Sequence, residues 1–408
     1  MTRVAILSRQ VTAYHHARFD ACVDRFAKVD VLSLANEGKF AQILARVDST
    51  RYGLHRVFPD LATYRQAAAQ GNVSTEVTRR LDALDPDAVA IPGWASPESY
   101  AALTWARANR RGIVLMSDSQ ALDARRNPLR DWIKSRIVRS CDAGLTAGRR
   151  HRDYLAQLGM PADKVRLGYD AVDNDHFRRG ADAARADDAA TRQRLGLPAR
   201  YVLASARFIA KKNLLAVIEA YAQAGRSRPD DALPDLLVAG DGEDRPALES
   251  AIARLGLVDR IHLPGFFDYD SMPALYGLAH GFVHVPLTEQ WGLVVNEAAA
   301  AGLPMVLSET CGAATELLEP GRNGWICAAE DGAALASALG AMISLSTEEA
   351  ARMGDESRAI VADWGPDRFA DELAAAVRVA QTGQGGPLSL LDRQIVRYMS
   401  RKVIETVA

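Results

Sequence analysis

Between His280 and Pro304 the hydrophobic pattern changes character once, and both sides of the change are sharply punctuated. His280-Gly281-Phe282-Val283-His284-Val285-Pro286 is a short, nearly continuous apolar run, which reads as a buried parallel strand. Gln290-Trp291-Gly292 follows as a turn, and Leu293 to Ala301 then reads as helix. Gly302, with Leu303-Pro304 behind it, is a strong helix stop. Two carboxylates, Glu289 and Glu297, stand in this unit with seven residues between them. The spacing places Glu289 on a loop at the carboxyl end of a strand and Glu297 roughly one and a half turns inside the helix. Ligands of open α/β sheets bind at that edge. The amides of Gly292, Leu293 and Val294 open the helix, and a helix start favours an anion such as phosphate. Two acids flanking an anion site suit a ligand with hydroxyls at both ends and phosphate between them, as in a nucleotide sugar. Two unrelated glutamates are the bland alternative. It is weakened by the apolar neighbours of Glu297, because glutamate is rarely buried without a partner.

The same strand–helix alternation runs through the chain. Val4–Leu7, Val29–Leu34, Ala88–Ile91, Gly112–Met116, Cys141–Thr146 and Val165–Leu167 read as strands, with helices expected at about Arg18–Lys28, Thr104–Arg111 and His151–Gly159. This order implies a parallel sheet. Residues 178–190 are polar and alanine-rich and read as an interdomain link running into a short helix that ends at Gly196. Tyr201–Ser205, Asp235–Gly240 and Met305–Leu307 then start a second series of strands, with a helix at Leu214–Ala224. A chain of 408 residues is too long for one compact core and suits two domains. A net charge of −2 excludes whole-surface binding of nucleic acid. Four cysteines without paired spacing suit a reducing cytoplasm and argue against a disulfide framework or zinc site. No signal peptide or spanning segment is expected. Asp268-Tyr269-Asp270 has the spacing of a metal-binding acid pair, but it precedes an ordinary helix start, and no metal is expected.

Glu289 to Val306, read as EQWGLVVNEAAAAGLPMV, resembles the signature loop and helix of the retaining glycosyltransferases of family 4. So do Arg207 to Asn213, RFIAKKN, and Tyr169 to Phe177, YDAVDNDHF. The resemblance implies the GT-B architecture: two Rossmann-like α/β domains facing across a cleft, with a C-terminal helix crossing back to the first. Residues 1–180 would form the acceptor-side domain, residues 198–365 the nucleotide-sugar-binding domain, and residues 366–408 would pack back. It implies further that Arg207 and Lys212 meet the donor diphosphate, with Lys211 able to share the task. Glu289 would hold hydroxyls of the donor sugar and Glu297 the ribose. Gly240 and the backbone near Phe266 and Phe267 would flank the nucleotide, and Gly292, Leu293 and Val294 the phosphates. The implied donor is a UDP- or GDP-sugar, the acceptor a sugar or lipid-linked hydroxyl, with no separate cofactor and no metal. Polysaccharide, O-antigen or glycolipid synthesis is the expected setting.

Two departures from the family stand out. The loop after the first strand, SRQVTAYHH, lacks the family's glycine pair, so that Tyr14, His15, His16 and Arg18 either do part of its work or are ordinary loop and helix-start residues. Asp118 stands where the family often has a histidine. It is open to two readings: a contact to the donor sugar, or a cap on the next segment. A sugar-nucleotide epimerase, a phosphorylase and a non-catalytic sugar-nucleotide sensor remain the alternatives. A dinucleotide oxidoreductase fits poorly, since no glycine fingerprint follows the first strand. Finally, nine basic residues crowd residues 125–152, among them Arg125, Arg126, Arg130 and Lys134, with Leu129, Trp132, Ile133 and Ile137 at helical spacing. This is consistent with peripheral contact to the anionic inner face of a membrane, although a solvated helix face whose apolar side packs inward is the more common arrangement. The amphipathic segment 388–408 carries no assigned role.

Overall fold

The computed structural model describes residues 1–35, 50–124, 126–226, 229, 233–383 and 385–407. Arg125, Gln384 and Ala408 lie outside them. The chain divides into two compact units, Met1–Ala171 with Pro366–Ala408, and Val172–Gly365.

The first unit is built on seven strands: β1 (Arg3–Ser8), β2 (Lys28–Ser33), β3 (Gly53–Arg56), β4 (Ala88–Pro92), β5 (Gly112–Ser117), β6 (Ala143–Thr146) and β7 (Val165–Leu167). They pair in parallel in the order β3-β2-β1-β4-β5-β6-β7. The strands are almost wholly apolar because both faces are covered. Ala5, Leu7, Leu32, Val89 and Ile91 enter one core, while Val4, Ile6, Val31, Ala88 and Ala90 enter the other. Period-two alternation thus sorts residues between two apolar layers rather than between core and water.

Helix Pro366–Thr382 covers the second of these layers through Phe369, Leu373 and Val377, so the C-terminal segment returns to the first sheet. Each such side chain contributes roughly 1.5–3 kcal/mol by leaving water. Helix Leu390–Val407 follows. Leu388, Ile395 and Val396 join the opposite core, and Asp392 pairs with Arg136 at 2.7 Å. The terminal segment therefore helps close the first unit.

The second unit carries β8 (Tyr201–Ser205), β9 (Asp235–Ala239), β10 (Ile261–Gly265), β11 (Gly281–His284), β12 (Met305–Ser308) and β13 (Gly324–Cys327), also all parallel, in the order β10-β9-β8-β11-β12-β13. Each sheet runs outward in one direction from its first strand and then reverses. The reversal lies between β1 and β4 in the first unit and between β8 and β11 in the second. Such a switch point opens a crevice at the carboxyl ends of the strands.

Several local expectations differ from the structure, and one is the helix expected at about Thr104–Arg111, which spans Pro97–Ala108 because Ser96 caps it by accepting from the Ser99 amide. The helix after β1 spans Ala13–Ala21, earlier than expected, because Thr12 takes an extended N-cap conformation and its hydroxyl pairs with His15 Nδ1 at 2.9 Å. Arg18 is buried there, donating to the Tyr169 carbonyl at 2.7 Å and lying 3.8 Å from Asp170, so its role is to hold the helix in place. The polar stretch 178–190 is helical, within Asn174–Ala186 and Asp188–Leu195. Asp173 caps the first of these by accepting from the His176 amide at 2.9 Å, and Phe177, Ala181 and Ala184 bury one face.

Candidate functional site

The loops that leave β8 and β11 meet at the second unit's switch point. After β8, Phe208 is buried and anchors the loop while Arg207 is exposed. A 3-10 turn, Ala210–Lys212, then delivers Lys212. Asn213 ends this turn in the left-handed region, φ 58°. Its side chain offsets that cost by donating to the carbonyls of Val285 at 3.1 Å and Ala329 at 2.8 Å. Leu287 N–H donates to the Lys211 carbonyl at 2.8 Å, which ties the two loops together.

The loop after β11 is held from its other side. Ser308 and Thr310 hydroxyls donate to the Pro286 carbonyl at 2.9 and 2.6 Å. Gly312 N–H donates to the Glu289 carbonyl at 3.1 Å and Ala313 N–H to that of Trp291 at 3.0 Å. Gly292, at φ 99°, then opens helix Leu293–Ala301. A glycine N-cap has no side chain to occupy the first amides, which leaves that duty to a ligand or water.

Lys212 and Glu289 form a direct ion pair across the switch point, each side chain 12% exposed. His284 approaches the same carboxylate, Nε2 to oxygen 3.5 Å, and stacks on Phe282 with rings 17° apart. Burial pushes His284 below its ordinary value and keeps the imidazole neutral. Burial also works to raise Glu289, yet the close approach of His284 and the Lys212 charge outweigh it and hold its carboxyl at about 2. Cys311 lies beside this pair and donates to the Trp291 carbonyl at 3.1 Å. Burial, followed by the Glu289 charge, pushes its thiol up to about 12, so it supplies no thiolate.

Several other residues expected from the sequence follow strands along the same edge. Gly240 follows β9, and Phe266 and Phe267 follow β10, Phe266 exposed and Phe267 half-buried. Gly240 sits at φ 131°, and a Cβ there would collide with the Ala206 carbonyl. Its turn also accepts the Phe208 amide, through the Asp241 carbonyl at 2.9 Å. Gly240→Ala is expected to destabilise the protein by about 2–4 kcal/mol, from left-handed backbone plus overlap. Thermal unfolding checks this, and an unchanged midpoint would count against so tight an approach. Leu293 and Val294 form the half-buried first turn of the helix. Glu297 is 2% exposed and accepts from the Tyr276 hydroxyl at 2.6 Å. Asp118 belongs to the first unit, half-buried after β5. Asp268 caps a turn by accepting from the Ser271 amide at 2.7 Å. Among the described residues no three or more His, Cys, Asp or Glu side chains converge as a metal site.

His284 and Tyr276 escaped the sequence reading, and Asn213 entered it only as the last residue of RFIAKKN. His284 was visible only as a polar residue in an apolar strand, and a buried structural histidine looks the same. Nothing in the sequence joins Tyr276 to Glu297, which stand 21 residues apart.

Residues 187–360 match the family of glycosyl transferases group 1. The chain is similar to an alpha-D-kanosaminyltransferase of Streptomyces kanamyceticus, 33% identical over 48% of this chain and 50% of that one. It is also similar to a D-inositol 3-phosphate glycosyltransferase of Streptomyces scabiei, 30% identical over 60% of this chain and 56% of that one. The chain thus spans about half the length of these curated relatives. Among solved structures, HepE of Anabaena in complex with UDP-glucose aligns with a TM-score of 0.70 at 19% identity, covering 93% of this chain and 100% of that one. At that identity the likeness speaks to the fold alone.

Proposed function

The chain has the GT-B fold and carries a glycosyl transferases group 1 domain over residues 187–360, and from that premise we propose that it is a retaining glycosyltransferase acting on a UDP- or GDP-sugar. The acceptor is a hydroxyl of a sugar or lipid-linked saccharide, in polysaccharide, O-antigen or glycolipid synthesis. The observation that carries the reading is the Lys212–Glu289 pair at the switch point, beside a helix start that lacks a side-chain cap.

In this reading Lys212, Arg207 and the amides after Gly292 stabilise the negative charge that grows on the departing diphosphate. That is electrostatic catalysis by groups already in place. Glu289 orients hydroxyls of the donor sugar and Glu297 the ribose, and Asp118, at the end of β5, keeps its assignment as a sugar-hydroxyl contact. The nucleotide lies near Gly240, Phe266 and Phe267. No carboxylate pair suited to double displacement is assigned. The acceptor attacks on the face the diphosphate leaves, with a diphosphate oxygen taking its proton. A metal is not required.

A thermal-shift panel of nucleotide sugars tests the reading. The true donor at about a hundredfold over its Kd adds about 2.7 kcal/mol and is expected to raise the unfolding midpoint by about 5 °C or more. Acceptor-dependent release of the nucleotide, unchanged by EDTA, is then expected. Product without acceptor points instead to an epimerase, dependence on inorganic phosphate to a phosphorylase, and binding without turnover to a sensor.

A membrane contact on the first unit is a further part of the proposal. Leu122, Leu129 and Trp132 are exposed together with Arg130. Much of the nearby basic charge is engaged within the fold: Arg126 with Asp131 at 3.2 Å, Arg136 with Asp392, Arg152 with Asp153. The contact therefore rests more on the apolar residues than on charge. Among the described residues no helix is long and apolar enough to cross a membrane. Trp132→Ala is expected to reduce co-sedimentation with anionic vesicles severalfold, and equal recovery of both proteins would remove this contact.

A further inference from the structure

The first sheet reverses between β1 and β4, and at the carboxyl ends of those strands lies a cavity of about 160 Å³. Arg9, Trp94, Ser96, Glu98 and Ser119 help to line it. The strands deliver these residues directly. Arg9 follows the last residue of β1, and Gly93, at φ 78°, turns the chain after β4 so that Trp94 and Ser96 come next. Ser96 then caps helix Pro97–Ala108, which places Glu98 in its first turn. A carboxylate is stabilised as an anion at that position.

Glu98 is 1% exposed. Its carboxylate accepts from the Tyr64 hydroxyl at 3.0 Å, and among the described residues no other hydrogen bond and no ion pair reaches it. A carboxylate has about four acceptor positions, so one donor leaves it well short of its capacity. Buried acids are rarely left so. Arg9 lines the same cavity and is exposed, and among the described residues its guanidinium forms no ion pair or hydrogen bond. The site thus offers a buried acceptor, an outward cation, two serines and an apolar wall at Trp94. Pockets for drug-sized ligands measure about 300–1,000 Å³, so this one takes a single ring and not a nucleotide sugar.

We propose that this cavity binds a six-membered polyol ring bearing an anionic substituent, its hydroxyls donating to Glu98 and its phosphate or carboxylate meeting Arg9. That the ring is the transferase's acceptor rests on the function proposed above, whereas its binding does not. Glu98 binds ring hydroxyls, and Arg9 sets the preference for charge. The assignment adds a specificity-determining pair to the first unit, which the family motifs of the second unit do not reach.

Calorimetric titration of the full chain tests it, with D-inositol 3-phosphate, glucose 6-phosphate and glucuronate set against inositol, glucose and 2-deoxystreptamine. At least one anionic polyol is expected to bind at least tenfold more tightly than its neutral counterpart. Arg9→Ala should erase that preference and leave neutral binding unchanged. Glu98→Gln should weaken anionic and neutral rings alike by tenfold or more, and Tyr64→Phe by less. Both Arg9→Ala and Glu98→Gln should keep the thermal shift given by the nucleotide-sugar donor. Arg9 is exposed, so its variant decides the matter even if Glu98→Gln unfolds. The proposal is overturned if no anionic polyol binds, if a neutral or amino polyol binds as tightly, or if Arg9→Ala keeps the preference. Polyol binding without any nucleotide-sugar shift would remove the transferase reading and leave this site standing, and the reverse result would remove only this site.

Discussion

Lys212→Ala is expected to lower kcat for sugar transfer by about 10²–10³-fold at saturating donor, the loss typical of removing one preorganised group that meets developing charge. The lysine is nearly enclosed, fixed by a 3-10 turn and paired with Glu289, so little reorganisation separates its resting position from the diphosphate. The same substitution leaves Glu289 in a half-buried place without its cation. Glu289 is held at about 2 against an ordinary value near 4.5. Its folded value is depressed, so the contribution is present above the unfolded value and lost as pH falls from about 4.5 through about 2. Lys212→Ala shrinks that window, and its stability should fall less steeply with acid than the wild type's. Lys212→Arg keeps the charge but replaces a compact ammonium with a planar fork, and an intermediate rate is expected. Glu289→Ala should lower turnover too. A double-mutant cycle with Lys212→Ala should then show a coupling of about 0.5–3 kcal/mol. Turnover by Lys212→Ala within threefold of wild type would refute the assignment.

The strands that carry the site were legible because their ends are strongly marked. Tyr201–Ser205 is a pure apolar run closed by polar residues, and Leu293–Ala301 lies between Gly292 and Gly302, so both appear where the sequence places them. Their consequence was legible as well, since Arg207, Lys212, Gly240, Phe266, Phe267 and Glu289 all follow strands and share one sheet edge. Partnership was not. Lys212 and Glu289 are 77 residues apart, and only the placing of β11 beside β8 makes them neighbours. Glu98 and Tyr64 meet in the same way, from two helices of the first unit. The edge strand Gly53–Arg56 was missed because Gly-Leu-His-Arg is only half-buried and carries no apolar run. Residues 178–190 misled for a different reason. Alanines and charges read as a link, and the helix they form shows its buried stripe only through Phe177, Ala181 and Ala184 together.

Glu297→Ala is expected to weaken donor binding by about 10- to 100-fold while kcat at saturating donor stays within about threefold. A charged acceptor on a ribose hydroxyl contributes about 1.5–3 kcal/mol, and each 1.4 kcal/mol is a factor of ten. The ribose lies away from the bond that breaks, so its loss acts equally on ground and transition states and raises KM rather than lowering kcat. Because Glu297 is 2% exposed and held by the Tyr276 hydroxyl at 2.6 Å, truncation also strands that hydroxyl. This costs about 1–3 kcal/mol of stability whatever the function. Two further variants separate the effects. Tyr276→Phe removes the anchor and leaves the carboxylate, so it should raise KM modestly with kcat preserved. Glu297→Gln keeps a partner for Tyr276 and removes the charge, so it should recover most of the stability but little of the affinity. Stability loss in Glu297→Ala with an unchanged donor Kd would make Glu297 a core residue bonded to Tyr276, and the ribose would then have to be read by other groups along the edge.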